Sequence, residues 1–134
     1  MNDPGIIVVE DKAIIALDIM RFLINKGYKN TRYYLNGEDA LKAIKLERPD
    51  LVILDVILHG EISGIDIAEE LSRMEVPFIF ISALSNPKHQ EAITKLKPAA
   101  VFLKPVNLND VLAKVRKVIG VRKVRDRSPS SFLN

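Results

Sequence analysis

The chain has 134 residues, 48% of them hydrophobic and none of them cysteine, which is enough for one cored domain and excludes disulfides and thiolate metal centres. Arg122, Lys123, Arg125 and Arg127 against Asp126 account for the whole net charge of +3, so the basicity belongs to residues 121–134 and gives no reason to expect a nucleic-acid surface on the body. No apolar run approaches the ~20 residues of a membrane span, and Met1-Asn2-Asp3-Pro4 lacks the basic start of a secretory signal, so the expectation is a soluble cytoplasmic protein with no membrane partner.

Apolar runs alternate with helical patterns along the chain. Gly5–Val9 is β-branched and unbroken, as a strand buried on both faces is. A helix is expected over about Lys12–Lys26, with Ile15, Ile19, Phe22 and Leu23 on one face and Gly27 as its stop. Thr31–Leu35 reads as a more polar strand suited to a sheet edge. Asn36-Gly37 signals a turn, and Glu38–Leu46 a short helix with Ala40, Leu41 and Ile44 inward. Leu51–Leu54 is a second buried strand, followed by the loop His59–Gly64 and a helix from about Ile65 to Met74. Pro77 opens the strand Phe78–Ile81. Asn86–Leu96 is a polar helix with few anchors, Ala92, Ile93 and Leu96, and is expected to be a low-stability element. Ala99–Leu103 is the fifth strand. The last helix carries Leu108, Val111, Leu112, Val115, Val118 and Ile119 on one stripe and stops at Gly120. Five βα units in succession imply an α/β fold, a parallel sheet with helices on both faces. Residues 1–120 form the expected domain. Residues 121–134, basic and then Ser/Pro-containing, read as a disordered tail or linker stub.

Chemistry-bearing residues follow the strands in a fixed order. Glu10-Asp11 closes the first apolar run, Asp55 the third, Ser82 the fourth and Lys104 the fifth. The carboxyl ends of parallel strands are where α/β sheets place their sites. Two adjacent acids suit a hard dication such as Mg²⁺, which takes carboxylate oxygens and water; Asp11 is equally suited to N-capping the helix behind it. Asp55 is placed to attack phosphorus or merely to form a turn. Lys104 at a sheet end needs an anionic partner, in a phosphoryl site or in an ordinary ion pair, and a cis Lys104–Pro105 bond would fix its direction. Ser82 offers a hydroxyl to a phosphoryl oxygen or to a cap, with the small Ala83 beside it. Taken jointly, the acids, hydroxyl and lysine suggest a Mg²⁺ and phosphoryl site.

This set resembles the receiver domain of two-component response regulators over about residues 5–119. Glu10 and Asp11 match the family's acidic pair, Asp55 its phospho-accepting aspartate, Ser82-Ala83 its Ser/Thr and small residue, and Lys104-Pro105 its lysine–proline. The resemblance implies a flavodoxin-like, doubly wound five-stranded parallel sheet of order 2-1-3-4-5, the order of a chemotaxis receiver. It implies that Asp55 takes a phosphoryl group from a histidine kinase or histidine phosphotransfer protein, with Lys104 and Ser82 assisting. It implies Mg²⁺ (or Mn²⁺) held by Asp11, Asp55 and the Ile57 carbonyl, with Glu10 acting through water. A downstream effector and a homodimer also fall within that expectation. The domain then signals, and catalyses only its own phosphorylation and dephosphorylation.

Three positions depart from the family pattern. The loop after Asp55, Val56–Gly64, has His59 where a proline is common, and Gly64 lies one place late; a different loop shape is expected, with His59 in solvent rather than on a metal. Val101 stands at the usual aromatic position and Phe102 one place nearer Lys104, so either the strand slips or the aromatic switch is absent. Ile57 and Leu84, two residues beyond Asp55 and Ser82, are apolar and unable to orient water, so slow self-dephosphorylation is expected. The competing readings are a degenerate receiver acting as a docking module and an aspartate-nucleophile phosphatase or phosphotransferase. The latter usually carries a second Asp where this chain has Ile57. A flavin site would need Ser/Thr/Gly donors after the first strand. A sequence-specific DNA-binding protein would need a helix-turn-helix pattern that residues 121–134 lack.

Overall fold

The computed structural model describes residues 3–83 and 87–121. Residues 122–134 of the expected tail, and Leu84, lie outside the described residues. Ten elements alternate: β1 (Ile6–Val9), α1 (Ala13–Asn25), β2 (Thr31–Tyr34), α2 (Gly37–Leu46), β3 (Leu51–Asp55), α3 (Gly64–Met74), β4 (Phe78–Ser82), α4 (Pro87–Leu96), β5 (Ala100–Leu103) and α5 (Leu108–Ile119). The five strands are parallel in the order β2-β1-β3-β4-β5, as the resemblance implies. β2, the most polar strand, lies at an edge, where unpaired backbone groups tolerate polar side chains.

Pleating divides the central strands between two cores. Ile7, Val9, Val52, Leu54, Phe78 and Phe80 face Ala40 and Ile44 of α2, Ile67, Ala68 and Leu71 of α3, and Ile93 of α4. Ile6, Val8, Leu51, Ile53, Ile79 and Ile81 face Ile19 and Leu23 of α1 and Val111, Leu112 and Val115 of α5. Both faces are covered, so unbroken apolar runs are the pattern these strands need. Burial at ~25 cal/mol per Å² of apolar surface makes this two-sided sheet the main stabilising term.

The helix ends follow local chemistry. Asn36 caps α2 by accepting from the Asp39 amide at 2.8 Å, and Ser63 and Asp66 form a reciprocal capping box at α3. Asn107 caps α5 through the Asn109 amide. Helix α1 differs: its N-cap is Lys12, without a side-chain cap. The capping alternative for Asp11 therefore falls, and its carboxylate is available elsewhere.

Candidate functional site

β1 and β3 are hydrogen-bonded neighbours in register, Val9 opposite Leu54, so Glu10 and Asp55 emerge side by side. β4 pairs with β3 and with β5, which brings Ser82 and Lys104 to the same edge of the sheet. The acidic side chains converge: ligand oxygens of Glu10, Asp11 and Asp55 all lie within 4.8 Å of one another. Lys104 Nζ donates to Glu10 Oε1 at 2.6 Å and to Asp55 Oδ2 at 2.7 Å. Its backbone amide donates to the Ser82 carbonyl at 2.8 Å, so β4 fixes where the lysine leaves β5. The Lys104–Pro105 bond is cis.

Asp55 is held at both oxygens. Oδ1 accepts from the Ile57 amide at 3.2 Å, the turn-forming contact, and Oδ2 accepts from Lys104. The turn and ion-pair alternatives are thus parts of the same arrangement. Glu10 is buried, with Oε2 accepting from the Lys12 amide at 3.1 Å. Its burial lifts the carboxyl above the ordinary 4.5, against hydrogen bonds from Lys104 and Lys12 that pull it down. Desolvation also pushes Asp11 upward, but hydrogen bonding with Glu10 and His59 outweighs it and holds that carboxyl below 3.8. For Lys104 desolvation opposes the charge, and the bonds to Asp55 and Glu10 more than offset it, raising its pKa above 10.5.

Asp11, Lys12, Asp55, Ile57, His59, Ala83 and Lys104 line an open cavity of about 200 Å³ beside the carboxylates. Crowded carboxylate oxygens are the hard donors that Mg²⁺ accepts, and those of Glu10, Asp11 and Asp55 stand close enough to face one ion, so the residues present fit such an ion. Ser82 is buried at the end of β4. It lines a different groove, of about 350 Å³, with Gln90, Ile93, Thr94, Val101 and Leu103.

The loop after Asp55 has a shape of its own. Leu58 is buried in the core shared with α2 and α3, while Ile57 and His59 on either side point outward. Glu38 of α2 accepts from the Glu61 and Ile62 amides at 3.2 and 3.1 Å. Gly37 lies so close that a Cβ there would meet the Ile62 carbonyl at 2.5 Å. A Cβ on Gly64 would lie 1.9 Å from the Asp55 carbonyl oxygen, so only glycine lets α3 start against the end of β3. This route carries His59 over the site. Its side chain is 90% exposed, as expected, yet its Nδ1 contacts Asp11 Oδ2 and its amide donates to that oxygen at 3.3 Å. Residue spacing does not reveal this contact, because it depends on α2 fixing the loop. The only sequence signal for it was the imidazole itself, four residues past Asp55.

β5 does not slip. Phe80 pairs with Val101 and Ile81 with Phe102. Phe102 packs on the α1/α5 core, and Val101 faces α4. Val101, not an aromatic ring, therefore occupies the α4 face.

Residues 6–116 match the family model for the response regulator receiver domain. The chain belongs to that family. It is 27% identical over 115 residues to the transcriptional regulatory protein PdtaR of Mycobacterium tuberculosis, covering 85% of this chain and 56% of that protein. It is 28% identical over 133 residues to the alkaline phosphatase synthesis transcriptional regulatory protein PhoP of Bacillus subtilis, covering 98% and 53%. The chain thus spans about half the length of the curated relatives it matches. A receiver domain of a signal transduction histidine kinase from Syntrophus aciditrophicus superposes with a TM-score of 0.79 at 26% identity, covering 87% of this chain and 89% of that one. The CheY-like receiver domain protein of Methanospirillum hungatei, 20% identical with a TM-score of 0.80 over 87% and 93% of the two chains, shares the fold. This receiver is a signalling domain of two-component systems, and among the described residues no helix is long and apolar enough to cross a membrane.

Proposed function

We propose that Asp55 of this receiver accepts a phosphoryl group from a phosphohistidine of a histidine kinase or histidine phosphotransfer protein. A carboxylate oxygen of Asp55 forms the new bond to phosphorus as the bond from phosphorus to imidazole nitrogen breaks in line, and the bonding electrons leave with the imidazole, which takes a proton from solvent. The observation that carries this reading is the double hydrogen bond from Lys104 to Asp55 and Glu10. It holds the acceptor carboxylate in one orientation and keeps a positive charge where phosphoryl oxygens arrive.

Asp11, Asp55 and the Ile57 carbonyl are the proposed ligands of Mg²⁺, with Glu10 acting through water; the ion, when bound, would neutralise charge on the transferring group. Ser82 is the proposed hydroxyl donor to the phosphorylated state, and its move would bias the neighbouring α4–β5 face toward an effector. Residues 1–120 are the proposed receiver and residues 121–134 the proposed tail or linker stub. The phosphatase reading is disfavoured because Ile57 offers no second carboxylate and its exposed side chain is apolar. Acetyl phosphate with Mg²⁺ tests the proposal: wild type should gain one phosphoryl group, and Asp55→Asn none. Equal labelling of both proteins would overturn it.

A further inference from the structure

The loop geometry points to His59 as an additional, nitrogen-donating protein ligand of the dication site, which would shift that site's preference from Mg²⁺ toward later first-row dications such as Co²⁺. This inference rests on the proposed cation site and adds to it a residue that the oxygen-only donor set does not include.

Three observations converge on His59. Its Nδ1 contacts Asp11 Oδ2, the oxygen of a proposed cation ligand. Two donors of one octahedral ion in adjacent positions lie about 3 Å apart, given metal–ligand distances near 2.1 Å, so a small outward turn of the imidazole lets both atoms face the same ion. His59 also lines the cavity that Asp11, Asp55 and Ile57 line. Finally, the ring is placed by a built loop. Leu58 is anchored in the core immediately before it, Gly60 follows at φ +109°, and Glu38 holds Glu61 and Ile62. Leu58 and Glu38 restrain the loop on either side of the imidazole, which lowers the entropy lost when it takes up an ion.

The chemical consequence follows from donor type. Carboxylate, carbonyl and water oxygens suit Mg²⁺, whereas imidazole suits the transition dications, whose affinities rise from Mn²⁺ through Co²⁺ and Ni²⁺. A receiver whose cation ligands are all oxygens gains less from that series than one with a nitrogen. The imidazole would act here by coordinating, while Lys104, Glu10 and Asp55 keep their own arrangement.

The test compares wild type, His59→Ala and His89→Ala by calorimetric titration with MgCl₂ and CoCl₂, and by proton NMR of the Co²⁺ forms. The expected result is a Co²⁺ over Mg²⁺ affinity ratio that falls about tenfold in His59→Ala. A hyperfine-shifted, exchangeable imidazole N–H resonance should appear in wild type and His89→Ala and be missing from His59→Ala. An unchanged ratio, or that resonance persisting in His59→Ala, would overturn the inference. So would equal tightening of both ions in His59→Ala, which would make the imidazole a competitor for Asp11. Labelling of wild type by acetyl phosphate in Mg²⁺ is measured in parallel. If wild type labels and the ratio does not respond, His59 alone is excluded; if wild type fails to label, the phosphoryl-acceptor reading falls separately.

Discussion

Replacing Lys104 with methionine removes the one ammonium that, among the described residues, faces both Glu10 and Asp55. The two hydrogen bonds, at 2.6 and 2.7 Å, are charge-assisted and contribute ~1.5–3 kcal/mol each in a typical protein. The lysine side chain is 16% exposed and its partners 3% and 11%, so water recovers part of the loss. Leaving two largely buried carboxylates without their cation should then cost about 2–4 kcal/mol in the metal-free protein at neutral pH. The variant should also bind Mg²⁺ more tightly, because no ammonium competes for those oxygens. A tenfold gain in affinity closes about 1.4 kcal/mol of the gap at saturation. Urea unfolding followed by circular dichroism, first with chelator and then with saturating Mg²⁺, measures both numbers. Equal stability of Lys104→Met and wild type in chelator, or a gap that Mg²⁺ leaves unchanged, would refute the charge-balance argument.

Gly64→Ala forces a methyl group toward the Asp55 carbonyl, 1.9 Å from an ideal Cβ; thermal melting should register a loss of about 3 kcal/mol, with weaker labelling of Asp55. The phosphorylated protein should decay slowly, and Ile57→Glu, which places a water-orienting carboxylate beside Asp55, should shorten its lifetime when decay is followed by phosphate release. The raised Glu10 pKa makes the metal-free protein gain stability as pH falls. The folded state binds the extra proton between the raised value and the unfolded 4.5, so the advantage is complete below 4.5 and is lost as pH rises through the folded value. Denaturation across that window should therefore show wild type gaining on Glu10→Gln as pH falls from neutral, and parallel profiles would count against the shift.

Much of this was legible because the decisive signals are local. Ile6–Val9 and Leu51–Leu54 are unbroken apolar runs, and a sheet covered on both faces needs such runs, so strand identity and the position of each acidic residue came together. Lys104 was legible for the same reason: an ammonium directly after Val101-Phe102-Leu103 needs an anion, and the parallel register supplies two. For His59 the exposure was legible and the contact was not, because exposure and contact are separate properties. Its ring is mostly in water and still touches Asp11, a contact set by Gly37 and Glu38 more than twenty residues upstream. The choice between Val101 and Phe102 was also closed to sequence, since it turned on pairing with Phe80 and Ile81.

Val101 has a mechanical consequence. A β-branched side chain is stiff about χ1 and too short to swing across a face as a ring does. Beside it, about 350 Å³ of space separates β5 from α4. News of an event at Asp55 would leave this side of the molecule as a shift of a whole helix rather than as the turning of a single side chain.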